Sequence, residues 1–436
     1  MLKAVRDAFH IKEIRRRIFY VLICLVIIRV GSQIPVPGVN TSFFSYYFQT
    51  NANDAFAFLN AFTGGGFSSF SIFALSITPY ITSSIIIQLL TIAIPKLEEM
   101  QKEGEDGRKK INRITRFVTI ALAIVESTAM CIGFGNQLIL EMNVLNVITV
   151  VASLTGGSAF LMWLGDQITE KGVGNGISMV LLINIVSRIP QDMISLHNKF
   201  AAGQTIARAV VAWVVIIVII IAVTVLVNAL NGGERRIPVQ YSKKMVGRKM
   251  VGGQTSSIPM KVNTAGVIPI IFASSLMSFP ALIIGFTGKK AAGAGARFLA
   301  MLSSSNWFKK DDMFLTLGLL IYIFLVVVFA YFYTSITFNP IEIADNIRKQ
   351  GGFIPGIRPG KATSDYLNSV LKYVIFIGAV GLIIVAVIPF VFNGLFAAQV
   401  SFGGTSLIII ASVILETLKQ VESMMVVRNY KGFLED

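Results

Sequence analysis

The sequence predicts an all-α polytopic membrane protein: ten transmembrane helices in two inverted five-helix halves, with one re-entrant piece. Three observations carry this. The chain is too apolar to cover itself with a polar surface: 54% of its 436 residues are apolar or aromatic and only 14% are charged, against about 25% charged in a soluble protein. Mean hydropathy is +0.71. Ten apolar stretches are each long enough to cross a bilayer, and the basic residues are distributed unequally between the segments that join them.

A hydrocarbon core about 30 Å thick needs about 20 residues of helix. The candidate spans are 18–37, 70–94, 117–135, 147–164, 173–189, 210–230, 264–286, 313–338, 370–392 and 405–427. The fifth is short and flanked by glycine. Residues 1–17 hold Lys3, Arg6, Lys12, Arg15, Arg16 and Arg17 ahead of a full-length span with no small-residue cleavage site. They read as a basic amphipathic segment on the inner membrane face, not a cleaved signal. With the N-terminus inside, cytoplasmic segments hold 29 of the 38 Lys and Arg, outer segments hold 8, and Arg29 lies within span 1. Both termini are therefore expected in the cytoplasm.

Charge also decides how to read Ala55–Pro95, a run of 41 residues without charge. Two spans there would invert everything downstream and move the seven basic residues of 96–116 outside. Residues 55–70 are therefore expected to enter the membrane without crossing, broken at Thr63-Gly64-Gly65-Gly66. Backbone of that kind is tolerated only where protein or a watery cavity surrounds it, so the chain is expected to enclose a cavity.

Ten spans divide into five and five, and an odd unit inserted twice must be inverted. Span 2 carries Pro79, Ile81 and the pair Ser83-Ser84; span 7 carries Pro269, Ile271 and Ser274-Ser275. The chain divides into the N-terminal segment 1–17, an N-terminal half 18–189, an outer hinge loop 190–209, a C-terminal half 210–427 and a cytoplasmic tail 428–436.

Several chemistries are excluded. Two cysteines (Cys24, Cys131) and two histidines (His10, His197) build no disulfide framework or zinc site; both cysteines read as small buried hydrophobes. Neither Gly64–Gly66 nor the glycines of 172–176 precede Lys-Ser/Thr, so direct nucleotide binding is not expected. Aspartyl or serine intramembrane proteolysis lacks its residues, and no enzyme, cofactor or metal site is expected. Ion-coupled transport wants ionisable residues at depth. Only Arg29 and Glu126 qualify, which leaves an inverted-repeat secondary transporter as the alternative function.

Two cytoplasmic loops, 231–263 and 337–369, are too long for connectors. They are basic, and turn residues such as Pro355-Gly356 and Pro359-Gly360 on either side of Arg358 shape them as protrusions. They read as a docking surface for a large cytosolic partner.

Strings along the whole chain carry a specific resemblance: IPVPG (34–38), FSIFALSITPYITSSIIIQLL (70–90), KEGEDGRKKIN (102–112), LMWLGDQITEKGVGNGIS (161–178), RRIPVQY (235–241), KVNTAGVIPIIFASS (261–275), FNPIEIADNIRKQGGFIPGIRPG (338–360) and FGGTSL (402–407). The chain resembles the SecY family, the channel subunits of the bacterial Sec protein translocase. Ser76 stands where the family more usually has Gly, and 287–312 match nothing.

The resemblance implies a protein-conducting channel in the bacterial plasma membrane. It would pass unfolded secretory chains and release apolar segments laterally into lipid. It implies an hourglass pore narrowed by Ile77, Ile81, Ile177, Leu181, Ile271 and Ile409. Ile77/Ile81 and Ile177/Leu181 are i, i+4 pairs, each suited to one helical face, and an aliphatic constriction resists ions by dewetting. Residues 55–70 would be the plug, a half-helix hinged at Thr63–Gly66. Gln88, Glu126 and Asn263 would form a polar group at a lateral gate between spans 2 and 7. Arg248 and Arg358 would face the ribosome or the SecA ATPase, one of which must supply the energy. Partners implied are small SecE-like and SecG-like membrane subunits, signal peptides, nascent secretory chains and membrane lipid.

Overall fold

The computed structural model describes residues 6, 9–43, 46, 60, 63–139, 141–200, 206–241, 244–246, 249–251, 255–286, 293–302, 307, 313–396 and 404–432. Ten described helices fall on the ten expected spans: α1 (Lys12–Gly31), α2 (Thr78–Ala93), then, after the short α3 (Pro95–Lys102), α4 (Glu105–Phe134), α5 (Val144–Lys171), α6 (Gly176–Phe200), α7 (Ile206–Gly232), α8 (Ile268–Phe286), and, after the short α9 (Ala294–Leu302), α10 (Leu317–Thr337). After the short α11 (Pro340–Lys349) come α12 (Lys361–Phe396) and α13 (Gly404–Gly432). Among the described residues, six helices alone are long and apolar enough to cross a membrane, and seven if the bent pair α2–α3 is one span.

Local chemistry sets the helix ends. Pro95 disfavours helix at the residue before it. Ile94 is accordingly extended, and the chain turns by 106° from the apolar α2 into the charged α3. Gly104 (φ +79°) opens α4, whose first turn carries Glu105 and Asp106, favourable at the positive end of the helix dipole. The Asn339 side chain accepts from the backbone N–H groups of Ile341 and Glu342, Pro340 fills the first turn, and Arg348 and Lys349 end α11. The basic run Arg15–Arg17, expected on the inner face, is part of α1 itself, which is continuous from Lys12.

The largest departure from helix is a small sheet built from the two long loops. Strands β1 (Glu234–Tyr241) and β4 (Thr255–Lys261) form a hairpin, with β2 (Lys244–Val246) and β3 (Lys249–Val251) paired separately between them. β5 (Gly352–Phe353) adds to the free edge of β1 through Gln240↔Phe353 and Tyr241↔Gly352. The two long loops are thus one structure. Ile237 and Val239 alternate inward and join Met260, Ile347, Ile354 and Leu367 in one buried cluster against α10, α11 and α12.

The N-terminal half packs α4 against α2 and α5, with α6 on α5. The C-terminal half packs α8 on α10, and α7 on α12 and α13. The halves meet where α4 touches α8 and where α6 touches α13. Buried hydroxyls stitch α2 to α4: Ser83 Oγ and Thr119 Oγ1 lie 2.6 Å apart, each also bonded to its own helix. Such membrane hydrogen bonds contribute about 0.6 kcal/mol. Cys24 and Cys131 are both buried thiols. Trp307 donates to the Met301 carbonyl (2.8 Å) and packs its ring against Tyr322 and Phe390, anchoring the described part of the unmatched segment 287–312.

Residues 71–77 expose how closely α5 approaches. A Cβ on Gly157 would run into the Ile72 carbonyl oxygen, whereas one on the adjacent Gly156 meets nothing within 4 Å. Alanine raises helix propensity by about 1 kcal/mol over glycine, while a clash with backbone costs about 1–3 kcal/mol. Gly156→Ala should therefore leave the thermal unfolding midpoint in detergent unchanged or higher, and Gly157→Ala should lower it.

Candidate functional site

All six residues of the expected constriction lie in one apolar cluster. Ile77, Leu181, Ile271 and Ile409 are buried within it, and Ile81 and Ile177 pack against it partly buried. Four helices contribute, and each delivers its ring residues within its first two turns. Ile77 is the N-cap of α2 and its carbonyl accepts from Ile81 N–H (3.1 Å), which keeps the i, i+4 relation across the helix start. α6 begins where Asn175 Oδ1 accepts from Ile177 and Ser178 N–H, and Gly176 fits because a Cβ there would strike the Gly165 carbonyl of α5. Ile271 follows Pro269 in α8, and Ile409 follows the start of α13. The side chains offer no hydrogen bond to a polar substrate and no ligand to an ion.

Against this cluster runs a segment that is not helical. The expected second span began near residue 70, yet α2 begins only at Thr78; residues 63–77 form consecutive turns. The backbone shows why. Gly64 (φ +65°), Gly65 (φ +89°), Phe70 (φ +43°) and Ser76 (φ +50°) all sit in the left-handed region. For Ser76 this explains why glycine suits the position. The strained serine is held by its neighbours: Ser158 Oγ donates to its carbonyl (3.1 Å) and Asn184 Nδ2 donates to its Oγ (3.2 Å).

The expected hinge Thr63–Gly66 is described, as is Asn60; 55–59, 61 and 62 lie outside the described residues. Thr63 Oγ1 donates to the Asn60 carbonyl (3.2 Å) and accepts from Phe67 N–H (3.1 Å). Phe67 and Phe70 are wholly buried. Short antiparallel pairing fixes the far end: Val36 N–H donates to the Phe70 carbonyl and Ile72 N–H to the Ile34 carbonyl. Two arginines that sequence reasoning did not assign to the site reach in. Arg29 of α1 donates to the Gly64 carbonyl and Arg188 of α6 to the Asn60 carbonyl, both at 3.1 Å. An arginine inside an apolar span, with a glycine run 35 residues on, was the available signal.

Three polar residues were expected together at the gate. Gln88 continues the α2 stripe of Ile77, Ile81 and Ile85; Ile85 packs against the α8 cluster. Among the described residues Gln88 donates only to Ser84 (3.3 Å), and its buried Oε1 has no hydrogen-bond partner there. Glu126 is half-buried on α4. Asn263 donates instead to Asn231 Oδ1 (2.7 Å), and Asn231 donates to Ser412 Oγ (2.8 Å), tying the approach to α8 to α7 and α13. Among the described residues no hydrogen bond joins the three.

Arg358 is exposed at a constrained tip. Gly356 (φ +81°) and Gly360 (φ +100°) make the turns, and Thr363 Oγ1 donates to the Arg358 carbonyl (2.9 Å). Arg248, between β2 and β3, lies outside the described residues.

Gly64 is the most constrained hinge position. A Cβ there would lie 2.8 Å from both the Asn184 carbonyl and Ser187 Oγ, on backbone of positive φ. Gly64→Ala adds about 1 kcal/mol of backbone strain to that overlap. It should lower the thermal unfolding midpoint in detergent, whereas Gly65→Ala, with nothing within 4 Å of its Cβ position, should lower it less.

A family model described as SecY matches residues 71–418. The chain is 41% identical over 445 residues to a protein translocase subunit SecY of Halalkalibacterium halodurans, and 39% identical over 451 residues to one of Streptomyces scabiei; each alignment covers both chains in full. Its fold is similar to a solved protein-conducting channel (TM-score 0.62, 18% identity, 95% of this chain and 93% of that one). It is equally similar to Sec61 in a canine ribosome–channel complex from the endoplasmic reticulum (TM-score 0.62, 16% identity, the same coverage). The chain belongs to the SecY family.

Proposed function

We propose that this protein is the channel through which unfolded secretory polypeptides cross the bacterial plasma membrane and from which apolar segments leave sideways into lipid. The convergence of Ile77, Ile81, Ile177, Leu181, Ile271 and Ile409 from four helices into one cluster supports this best. A ring of branched alkyl groups dewets when empty, so ions are excluded without a specific barrier. Occupied, it presents only weak dispersion contacts to whatever slides through, each about 0.1–0.2 kcal/mol per atom pair. That combination suits a substrate of varied sequence. The relatives' shared description as translocase subunits points the same way.

Residues 55–70 act as the plug and Thr63–Gly66 as its hinge. α2 and α8 form the lateral gate. Gln88 and Glu126 are polar groups at that gate, and Asn263 braces the approach to α8 from behind. The gate seam is largely apolar, so an inserting hydrophobic helix can replace its contacts with equivalent ones.

The chain works without its own energy source. Its sheet and the Arg358 tip, with Arg248, form the dock for a SecA-type ATPase or the ribosome; solved relatives include ribosome-bound channels. SecE-like and SecG-like subunits complete the assembly, and both termini face the cytoplasm. An inverted-repeat transporter is the second reading; solute uptake by vesicles carrying the chain would favour it.

Crosslinking tests the path. Cysteine placed at Ile81, Ile177 or Ile271 should crosslink to an arrested secretory chain, and cysteine at the exposed, lipid-facing Val214 or Phe324 should not; equal labelling at all five sites would overturn the reading. A second test concerns the dock. Arg358→Glu reverses one exposed charge without touching the core, so the channel should assemble normally while ATPase-driven export in reconstituted vesicles falls at least tenfold, about the effect of losing one charge-assisted contact.

A further inference from the structure

We propose that Arg29 and Arg188 form a two-point latch on the backbone carbonyls of Gly64 and Asn60, and that this latch sets how tightly the idle channel is sealed. The inference rests on the channel reading above and assigns positioning residues to it.

The two arginines come from different helices and grip different carbonyls. Arg29 Nη1 is shared between the Gly64 carbonyl and Ser32 Oγ (both 3.1 Å), and Ser32 Oγ donates back to the Arg29 carbonyl (2.7 Å). The guanidinium is thereby aimed at the hinge. Arg188 Nη1 donates to the Asn60 carbonyl, and buried Asp192 lies one turn further along the same helix. Asn60 is the organising residue of the turn: its carbonyl also accepts from Gly65 N–H and Thr63 Oγ1, and its Oδ1 accepts from Ser68 N–H. Pulling the turn away breaks both guanidinium contacts.

Three features distinguish a latch from ordinary anchoring. Of the two arginine bonds, the one to Gly64 goes to a run of turns outside any described helix or strand, and the one to Asn60 goes to a helical residue whose carbonyl that run already shares. One falls on Gly64, within the glycine run, and the other on Asn60, four residues before it. They are single charge-assisted contacts to carbonyls, which water can replace once the turn moves. Guanidinium suits this because its planar fork meets two acceptors from one fixed position. The competing account is that the buried Phe67 and Phe70 rings hold the segment regardless.

The test uses the full-length chain with the membrane subunits that co-purify with it. Arg29→Gln and Arg188→Gln are made singly and together, and idle open probability is measured in planar bilayers. A charge-assisted contact is equivalent to roughly a tenfold change in an equilibrium, so each single variant should raise idle opening about tenfold and the double variant more. Labelling provides an independent readout. Ser71 is wholly buried and its Oγ has no partner, so Ser71→Cys is a mild probe; the arginine variants should speed its reaction with a membrane-impermeant maleimide from the outer side. Cys24 and Cys131 should stay protected, which certifies that the bundle is intact. If the neutral variants unfold, Arg29→Lys and Arg188→Lys replace them: the charge stays and the fork is lost, so raised opening supports the latch and wild-type opening overturns it. Unchanged labelling and unchanged idle opening in folded variants would overturn the latch and leave the ring-packing account. A wild-type protein that stays silent even with an arrested polypeptide would instead overturn the channel reading, while the labelling rate still decides the latch.

Discussion

A peptide group deprived of water and of any partner costs several kcal/mol, and the turns of residues 63–77 satisfy only part of their own, through bonds such as Gly66 N–H to the Thr63 carbonyl and Ser76 N–H to the Phe73 carbonyl. Much of the N-terminal half can be understood as supplying those partners. Ile34 and Val36 offer a short strand edge; α1 and α6 send arginines; α5 and α6 send Ser158 and Asn184 to one strained serine. α5 carries glycine at Gly157, where any side chain would collide with the Ile72 carbonyl. A segment held this way is well defined yet detachable, because its ties are individual bonds and not a continuous ladder.

The constriction has the opposite character. It has no polar groups to satisfy, and its residues belong to helix starts whose backbones are set by Asn175, Pro79 and Pro269. The halves of the molecule meet there through alkyl contacts. Dispersion and burial are non-directional, so such a meeting surface can widen by small steps. The hydrogen-bonded chain Asn263–Asn231–Ser412 lies wholly within the C-terminal half and stiffens α8 against its own neighbours. The α8 side of that meeting surface is thus braced within its own half.

Much of this was legible in the residues. Hydropathy located the ten helices, while the asymmetry of lysine and arginine argues that residues 55–70 do not span, a stretch of which 55–59, 61 and 62 lie outside the described residues. The i, i+4 spacing of Ile77/Ile81 and Ile177/Leu181 was compatible with a shared face, although only the resemblance singled these isoleucines out from dozens of others. What was illegible has physical causes. The start of α2 was misplaced by eight residues because turn-forming Phe70–Ser76 is as apolar as a helix; hydropathy reports burial, not φ. The sheet was hidden because β5 is two residues long and pairs across more than a hundred residues of chain. The arginine contacts were hidden because their acceptors are backbone carbonyls, which every residue carries.

The pairing of β5 with β1 has a mechanical consequence. A loop can stretch; a sheet resists changes of spacing along its hydrogen bonds. Because Gln240–Tyr241 and Gly352–Phe353 are one ladder, the separation between the hairpin and the Arg358 tip is a fixed gauge, footed on α10, α11 and α12 through Ile237, Val239 and Ile347. A push delivered at either protrusion is shared by both and passes into the same three helices, so this end of the molecule behaves as a single rigid handle.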